Sequence, residues 1–323
     1  MKNNVGNSIW PILLIIPFVL FSCASTQRMQ SGQRGIKLYI DRVTALLEKG
    51  EFDEAISELN KAIEIDPGDR LAYDIRGMVY WKKGQYDQAI FDYNKALKID
   101  PRNDRSYVHR GIAYYHKGQY DQAISDYNKA IEINSGGALA YVYRAMAFLK
   151  KGQLDLAISD YSKAIEINPK NDAAYVNRGS VYAEKRGFDH AISDYNKAIQ
   201  INPRDALAYG LRGAAYREKG QYDQAISDYD KAIEINPSDY RAYNHRGTAY
   251  YHKGEYDQAI SDYSKALEIN SRDDMAYYNR GVAYYSKHEY DKSWEDIKMA
   301  QVLGYKIPPE FLDKLRQASG RQQ

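Results

Sequence analysis

Cysteine is almost missing from these 323 residues: Cys23 is the only one. No internal disulfide can therefore form, whatever the compartment. A surplus of one charge is missing too. Lys and Arg number 45 against 43 Asp and Glu, for a formal net charge of +2. That leaves no argument for nucleic acid, and no RNP-like or basic-helix string supplies one. The apolar run Ile9–Phe21 spans 13 residues and holds two prolines, short of the about 20 apolar residues of an ordinary membrane span. No G-x-S-x-G or P-loop string occurs, so neither a nucleophile elbow nor a phosphate cradle is in view. Histidine is scarce, at six. His109 and His116, like His245 and His252, lie on one helical face but seven residues apart, a rise of about 10.5 Å. That is too far for a pair to share a metal, so no metal, cofactor, catalytic residue or small-molecule substrate is expected.

What the chain has instead is tyrosine, 32 of them, placed with a period. The string Tyr209–Pro237, YGLRGAAYREKGQYDQAISDYDKAIEINP, returns nearly unchanged every 34 residues. Tyr73, Tyr107, Tyr141, Tyr175, Tyr209, Tyr243 and Tyr277 mark seven copies, and Tyr39 opens a weaker first one. A fixed period of about 34 is the mark of paired helices stacked into a solenoid. Within the copy, Tyr209, Gly213 and Tyr216 share one face of a first helix. Lys219 and Gly220 suit its carbonyl end. Asp223 opens the second helix, where its carboxylate is expected to accept from free backbone N–H groups. The Asp53, Asp87, Asp121, Asp155, Asp189, Asp223, Asp257 and Asp291 series is read the same way. Ala225, Tyr229 and Ala232 form the buried stripe, with Tyr222 alongside, and Asn236-Pro237 stops the helix. Gly213 costs about 1 kcal/mol relative to alanine inside a helix. Its recurrence implies close helix approach, expected opposite the Ala225-type position.

These offsets resemble the tetratricopeptide repeat (TPR), whose pattern is met here at Tyr209, Gly213, Tyr216, Ala225, Tyr229, Ala232 and Pro237. The resemblance implies an all-α TPR superhelical solenoid of eight helix-turn-helix repeats plus a C-terminal capping helix. The units are 36–69, 70–103, 104–137, 138–171, 172–205, 206–239, 240–273 and 274–307, within 36–307, and 308–323 forms the cap and frayed tail. One departure recurs. Where the family carries Leu, all eight copies carry Arg42, Arg76, Arg110, Arg144, Arg178, Arg212, Arg246 and Arg280. An acid follows sixteen residues later: Glu58, Asp92, Asp126, Asp160, Asp194, Asp228, Asp262 and Asp296. A ladder of partly buried ion pairs is expected.

Residues 1–22 read as a signal segment with an apolar core. Leu20-Phe21-Ser22-Cys23 resembles the bacterial lipobox. That resemblance implies cleavage before Cys23, a diacylglyceryl thiol, a polar tether over 23–35 and a lipid-anchored protein of the bacterial envelope. With Ala24 after the cysteine, the outer membrane, facing the periplasm, is the expected address.

The family's first helices line a groove that takes a protein or peptide partner. Carried onto this chain, the groove positions are Ile75, Met78, Trp81, Val108, His109, Ile112, Tyr115, Val142, Tyr143, Met146 and Leu149, an apolar and aromatic stretch. The later, more polar set is Asn177, Arg217, Asn244, His245, Tyr251, Tyr278, Asn279 and Tyr285. The family's carboxylate clamp needs Lys and Asn at positions five and nine of one copy, and no copy has them. The expected function is a non-enzymatic scaffold in the envelope, holding a partner segment in the groove. The alternative is a soluble TPR assembly scaffold or co-chaperone without a lipid anchor.

Overall fold

The structure, a computed structural model, describes residue 39 and residues 42–321. Cys23, the lipobox-like string and the tether lie outside the described residues. The chain divides into two units, 1–167 and 168–323. In the first, α1 (42–49) pairs with α2 (Phe52–Ile65), α3 (Arg70–Lys82) with α4 (Tyr86–Ile99), α5 (Asp104–His116) with α6 (Tyr120–Ile133), and α7 (Ala138–Lys150) with α8 (Leu154–Ile167). In the second, α9 (Asp172–Glu184) pairs with α10 (Phe188–Ile201), α11 (Ala206–Glu218) with α12 (Tyr222–Ile235), α13 (Tyr240–Lys253) with α14 (Tyr256–Ile269), and α15 (Asp274–Ser286) with α16 (Tyr290–Val302). The last helix, α17 (Pro309–Ser319), closes the second unit against α16. No strand occurs among the described residues. Within each unit a first helix packs on its own second helix and on the second helix before it, and neighbouring first helices touch side by side.

The first helices start where the sequence offers a short polar acceptor. Asp69, Asn103, Asn171, Asp205, Asp239 and Asp273 each stand at an N-cap and accept from a backbone N–H of the first turn, satisfying one donor that the helix leaves free. In the fourth copy Ser135-Gly136-Gly137 replaces the usual stop, and Gly137 caps without a side-chain bond. Second helices begin differently from expectation. Gln85, Gln119, Gln221, Glu255 and Glu289 hold the cap position and make no side-chain capping bond.

The aspartate two residues later therefore does not cap. It reaches to the next copy: Asp53 pairs with Lys83, Asp87 with Lys117, Asp121 with Lys151, Asp189 with Lys219, Asp223 with Lys253, Asp257 with Lys287 and Asp291 with Arg321. Each pair spans 30 residues. The lysine read as a helix-end cation is thus also a cross-repeat tie. Its carboxylate partner stays about four-fifths exposed, as with Asp223 at 82%. Such surface pairs contribute about 0–1 kcal/mol each, so they set register more than stability.

The core is built of rings and small residues. Tyr93, Tyr127, Tyr161, Tyr195, Tyr229 and Tyr263 are fully buried, as are the Ala89-, Ala123- and Ala225-type residues. The recurring glycine faces those rings at Gly77, Gly111, Gly179, Gly213 and Gly247, while Gly281 faces Ile297. A Cβ on Gly111 would stand 2.5 Å from Cε1 of Tyr127, and one on Gly213 would stand 3.0 Å from Cε1 of Tyr229 and 3.2 Å from the Ala225 carbonyl oxygen. The partner sits sixteen residues on because the tyrosine, being longer, crosses the helix interface that alanine only floors.

The arginine ladder is where the sequence placed it. In each unit the guanidinium lies across the same acid in two parallel bonds. Arg76 Nε and Nη2 donate to Asp92 at 2.8 and 2.6 Å, and Arg212 does the same to Asp228. Arg110–Asp126, Arg144–Asp160, Arg178–Asp194, Arg246–Asp262 and Arg280–Asp296 repeat the geometry. The acids are buried. Nη1 then donates backwards, from Arg76 to Asn60, Arg110 to Asn94, Arg144 to Asn128 and Arg212 to Asn196, each at 2.6 Å. One arginine therefore joins three helices. The first copy is looser: Arg42 is 67% exposed and meets Glu58 at 3.3 Å.

Turns between paired helices use a left-handed residue, with φ of 73° at Gly84, 76° at Gly118 and 73° at Gly220. In the fifth copy, where the glycine is shifted by one, Arg186 takes that slot at φ 61°. A side chain costs about 1–2 kcal/mol in this conformation. Arg186→Gly is expected to raise stability by about 1 kcal/mol, read as a shift in the denaturation midpoint. No shift in that midpoint would mean the strain is absorbed elsewhere.

Candidate interaction faces

The groove residues stand on the first helices, but not all present a surface. Ile75, Val108, Ile112, Tyr143, Met146 and Asn244 are buried. Their side chains complete the packing between neighbouring helices, a correction to their reading as contact residues. Tyr143, for example, stacks on Tyr127 with centroids 6.1 Å apart.

What remains open in the first unit is a half-buried set on α3, α5 and α7: Met78, Trp81, His109, Tyr115, Val142 and Leu149. Two residues outside the groove positions carried over from the family complete it. His116 meets Trp81 at 5.4 Å and Tyr115 edge-on at 5.6 Å, and stacks on Tyr86 at 5.6 Å and 14°. Tyr120 meets Tyr115 at 5.5 Å. Rings from first and second helices thus meet at the turn end of each pair. The sequence signal is the tyrosine that opens five of the second helices, at Tyr86, Tyr120, Tyr222, Tyr256 and Tyr290, which the spacing along the helix assigns to its buried side. Burial raises the Tyr115 hydroxyl to about 12. It pulls His109 down to about 4, helped by the nearby Arg105 and Arg70. The His109 ring is enclosed against Tyr93 at 5.8 Å, although the residue keeps some exposed edge.

The second unit offers a polar set. Asn279 donates to Asn244 Oδ1 at 2.9 Å, and Asn244 donates to Asp273 at 3.4 Å, so the Asn244 amide is committed to its neighbours. Tyr251 meets the Ser286 hydroxyl at 3.1 Å. Arg217 Nη1 lies 3.3 Å from His245 Nδ1, and Nη2 donates to Glu218 at 3.0 Å. The His245 ring lies over Tyr229 at 5.9 Å, and burial with Arg217 and Arg241 nearby brings it to about 3. Asn177 is half-buried on α9. Tyr278 and Tyr285 are covered by the chain itself: Tyr305 stacks on Tyr278 at 4.5 Å, and Phe311 of α17 meets both rings at 5.9 and 5.4 Å. They anchor the end of the stack, with Leu315 fully buried beside them.

Sequence profiles described as TPR repeat match residues 44–84, 77–118, 145–185, 213–254 and 247–287, more than half of the chain. The chain belongs to the tetratricopeptide-repeat family. Further tetratricopeptide-repeat profiles match 105–136, 172–205 and 194–227. No curated protein matches this TPR chain in sequence. Among solved structures, it is similar to the C-terminal part of a TPR protein from Cytophaga hutchinsonii, at 24% identity and a TM-score of 0.60, covering 73% of this chain and 97% of that one. A TPR protein from Parabacteroides merdae gives 20% identity and 0.58, covering 78% and 98%. YrrB, described as a TPR protein with an unusual peptide-binding site, gives 22% and 0.50, covering 57% and 95%. At these identities the likeness shows the TPR fold alone. That fold is typical of non-catalytic scaffolds that bind protein or peptide partners.

Proposed function

We propose that this TPR protein is a non-enzymatic adaptor, held in a bacterial cell envelope by lipid on Cys23, that binds a partner segment on its first-helix faces. The observation that carries the binding half is the open aromatic set of the first unit. Trp81, Tyr115 and Leu149 occupy one position in successive copies and keep exposed surface, and interface cores favour such residues. The described peptide-binding site of YrrB supports the same use of the fold. The anchoring half rests on the Leu20-Phe21-Ser22-Cys23 string and on Cys23 being the only thiol. A diacylglyceryl cysteine with an acylated amine meets the need for more than one chain, at about 0.8 kcal/mol per buried methylene. The outer membrane is the address proposed.

Two measurements test the halves separately. Palmitate labelling is expected in the wild type and absent in Cys23→Ala; labelling that persists in the variant removes the anchor. Crosslinking in intact envelopes is expected to yield a discrete partner set that Trp81→Ala/Tyr115→Ala loses while remaining helical. Equal recovery by both proteins places binding off this face.

A further inference from the structure

The second unit holds an arginine that breaks the rule of its own ladder. Arg178, Arg212, Arg246 and Arg280 have side chains 18–20% exposed, each clasped by an acid 6–8% exposed. Arg217 is as withdrawn, at 21%, but the carboxylate within reach is Glu218, 43% exposed and held through one nitrogen. Its other described contact is the ring nitrogen of a histidine that burial keeps neutral. A guanidinium taken out of water is best served by two-toothed contact with a carboxylate, and Arg217 lacks that.

The floor beneath it is also incomplete. At two equivalent places the core tyrosine hydroxyl donates to a side chain of its own first helix: Tyr195 to Ser180 at 3.3 Å and Tyr263 to Thr248 at 3.2 Å. In the copy between, that position is Ala214, and the Tyr229 hydroxyl, like those of Tyr127 and Tyr161, is buried without a partner among the described residues. One turn earlier on the same face, Gly210 has nothing within 4 Å of where a Cβ would stand. The Tyr229 hydroxyl is enclosed, so the open space lies on the α11 face beside Arg217, where Gly210 and Ala214 carry little or no side chain.

Resting on the peptide-binding reading above, we propose that Arg217, flanked by His245, forms a receptor for a carboxylate side chain of the partner segment. Gly210 and Ala214 make space for it, and Glu218 holds the guanidinium until the ligand replaces it. The partner is an acidic peptide, read by charge complementarity.

The test uses the full chain and two labelled degenerate ten-residue peptide mixtures, identical except for Glu or Gln at the central position. Fluorescence anisotropy at physiological salt is expected to give about tenfold tighter binding of the Glu mixture. Arg217→Gln should bring the two within about twofold, and Arg217→Lys should keep part of the preference. The exposed Arg204→Gln should change nothing. Glu218→Gln, which removes the competing carboxylate, should tighten the Glu mixture about threefold. A merely structural Arg217 predicts no such gain, and this variant decides the matter if Arg217→Gln fails to fold. Equal binding of both mixtures by wild type, or no gain in Glu218→Gln, overturns the receptor but leaves peptide binding standing. Binding of neither mixture sinks both.

Discussion

Arg212→Leu is expected to lose about 3–5 kcal/mol in equilibrium denaturation, and Asp228→Leu a similar amount, because either leaves its partner charged and withdrawn from water. The two are joined by parallel bonds of 2.8 and 2.6 Å, and Asp228 is 5% exposed. Arg212 also donates to Asn196 of the copy before, so its loss weakens the α10–α11 contact as well as its own pair. The double variant Arg212→Leu/Asp228→Leu should recover much of the deficit, since apolar residues often replace a buried pair at little net cost. The arginine variant should stay the worse of the two singles, because it also loses the bond to Asn196 of the copy before. Single variants that melt with wild type would show that the ladder is solvated in solution. In contrast, Lys219→Ala, which cuts an exposed cross-repeat pair, should cost under about 1 kcal/mol.

Acid should destabilise this protein through two enclosed histidines. His109 and His245 hold their ordinary value near 6.5 when unfolded, but about 4 and about 3 when folded. Between those limits the unfolded chain binds more protons, so stability is fully present above pH 6.5 and falls as the pH drops below it. Each histidine contributes a slope of about 1.4 kcal/mol per pH unit, so at pH 5 the pair together removes about 4 kcal/mol. The cause is the same at both sites. Burial opposes the charged ring, and arginines face it: Arg105 and Arg70 at His109, Arg217 and Arg241 at His245. Asp104 acts the other way at His109. Asparagine stands at this place in two other copies, as Asn177 and Asn279. The double variant His109→Asn/His245→Asn should therefore fold and flatten the pH dependence from 6.5 to 5. Parallel wild-type and variant curves over that range would refute the assignment.

Much of this architecture is legible in residue spacing alone. The offset of sixteen between arginine and acid puts both on facing helices of one hairpin, and that is where they meet. The helix pairs, the left-handed turn glycines and the closing helix with Phe311, Leu312 and Leu315 are equally visible. Three features are not. The Asp223-type residue looks like a cap because its partner, Lys253, lies 30 residues on in the next copy. The glycine meets a tyrosine ring as well as the alanine backbone expected opposite it, because side-chain length decides which residue crosses an interface. Six groove positions are buried, because a family's average face does not say how tightly one chain closes it.

By itself, the sequence determined the period, the helix faces and the internal ion pairs, since all follow from spacing along a helix and within one hairpin. The tertiary structure decided which groups pair between copies, which groove side chains keep surface, and which polar groups are left unmet among the described residues, the Tyr229 hydroxyl being one. Those depend on distances between helices far apart in the chain, and packing, not local pattern, sets them.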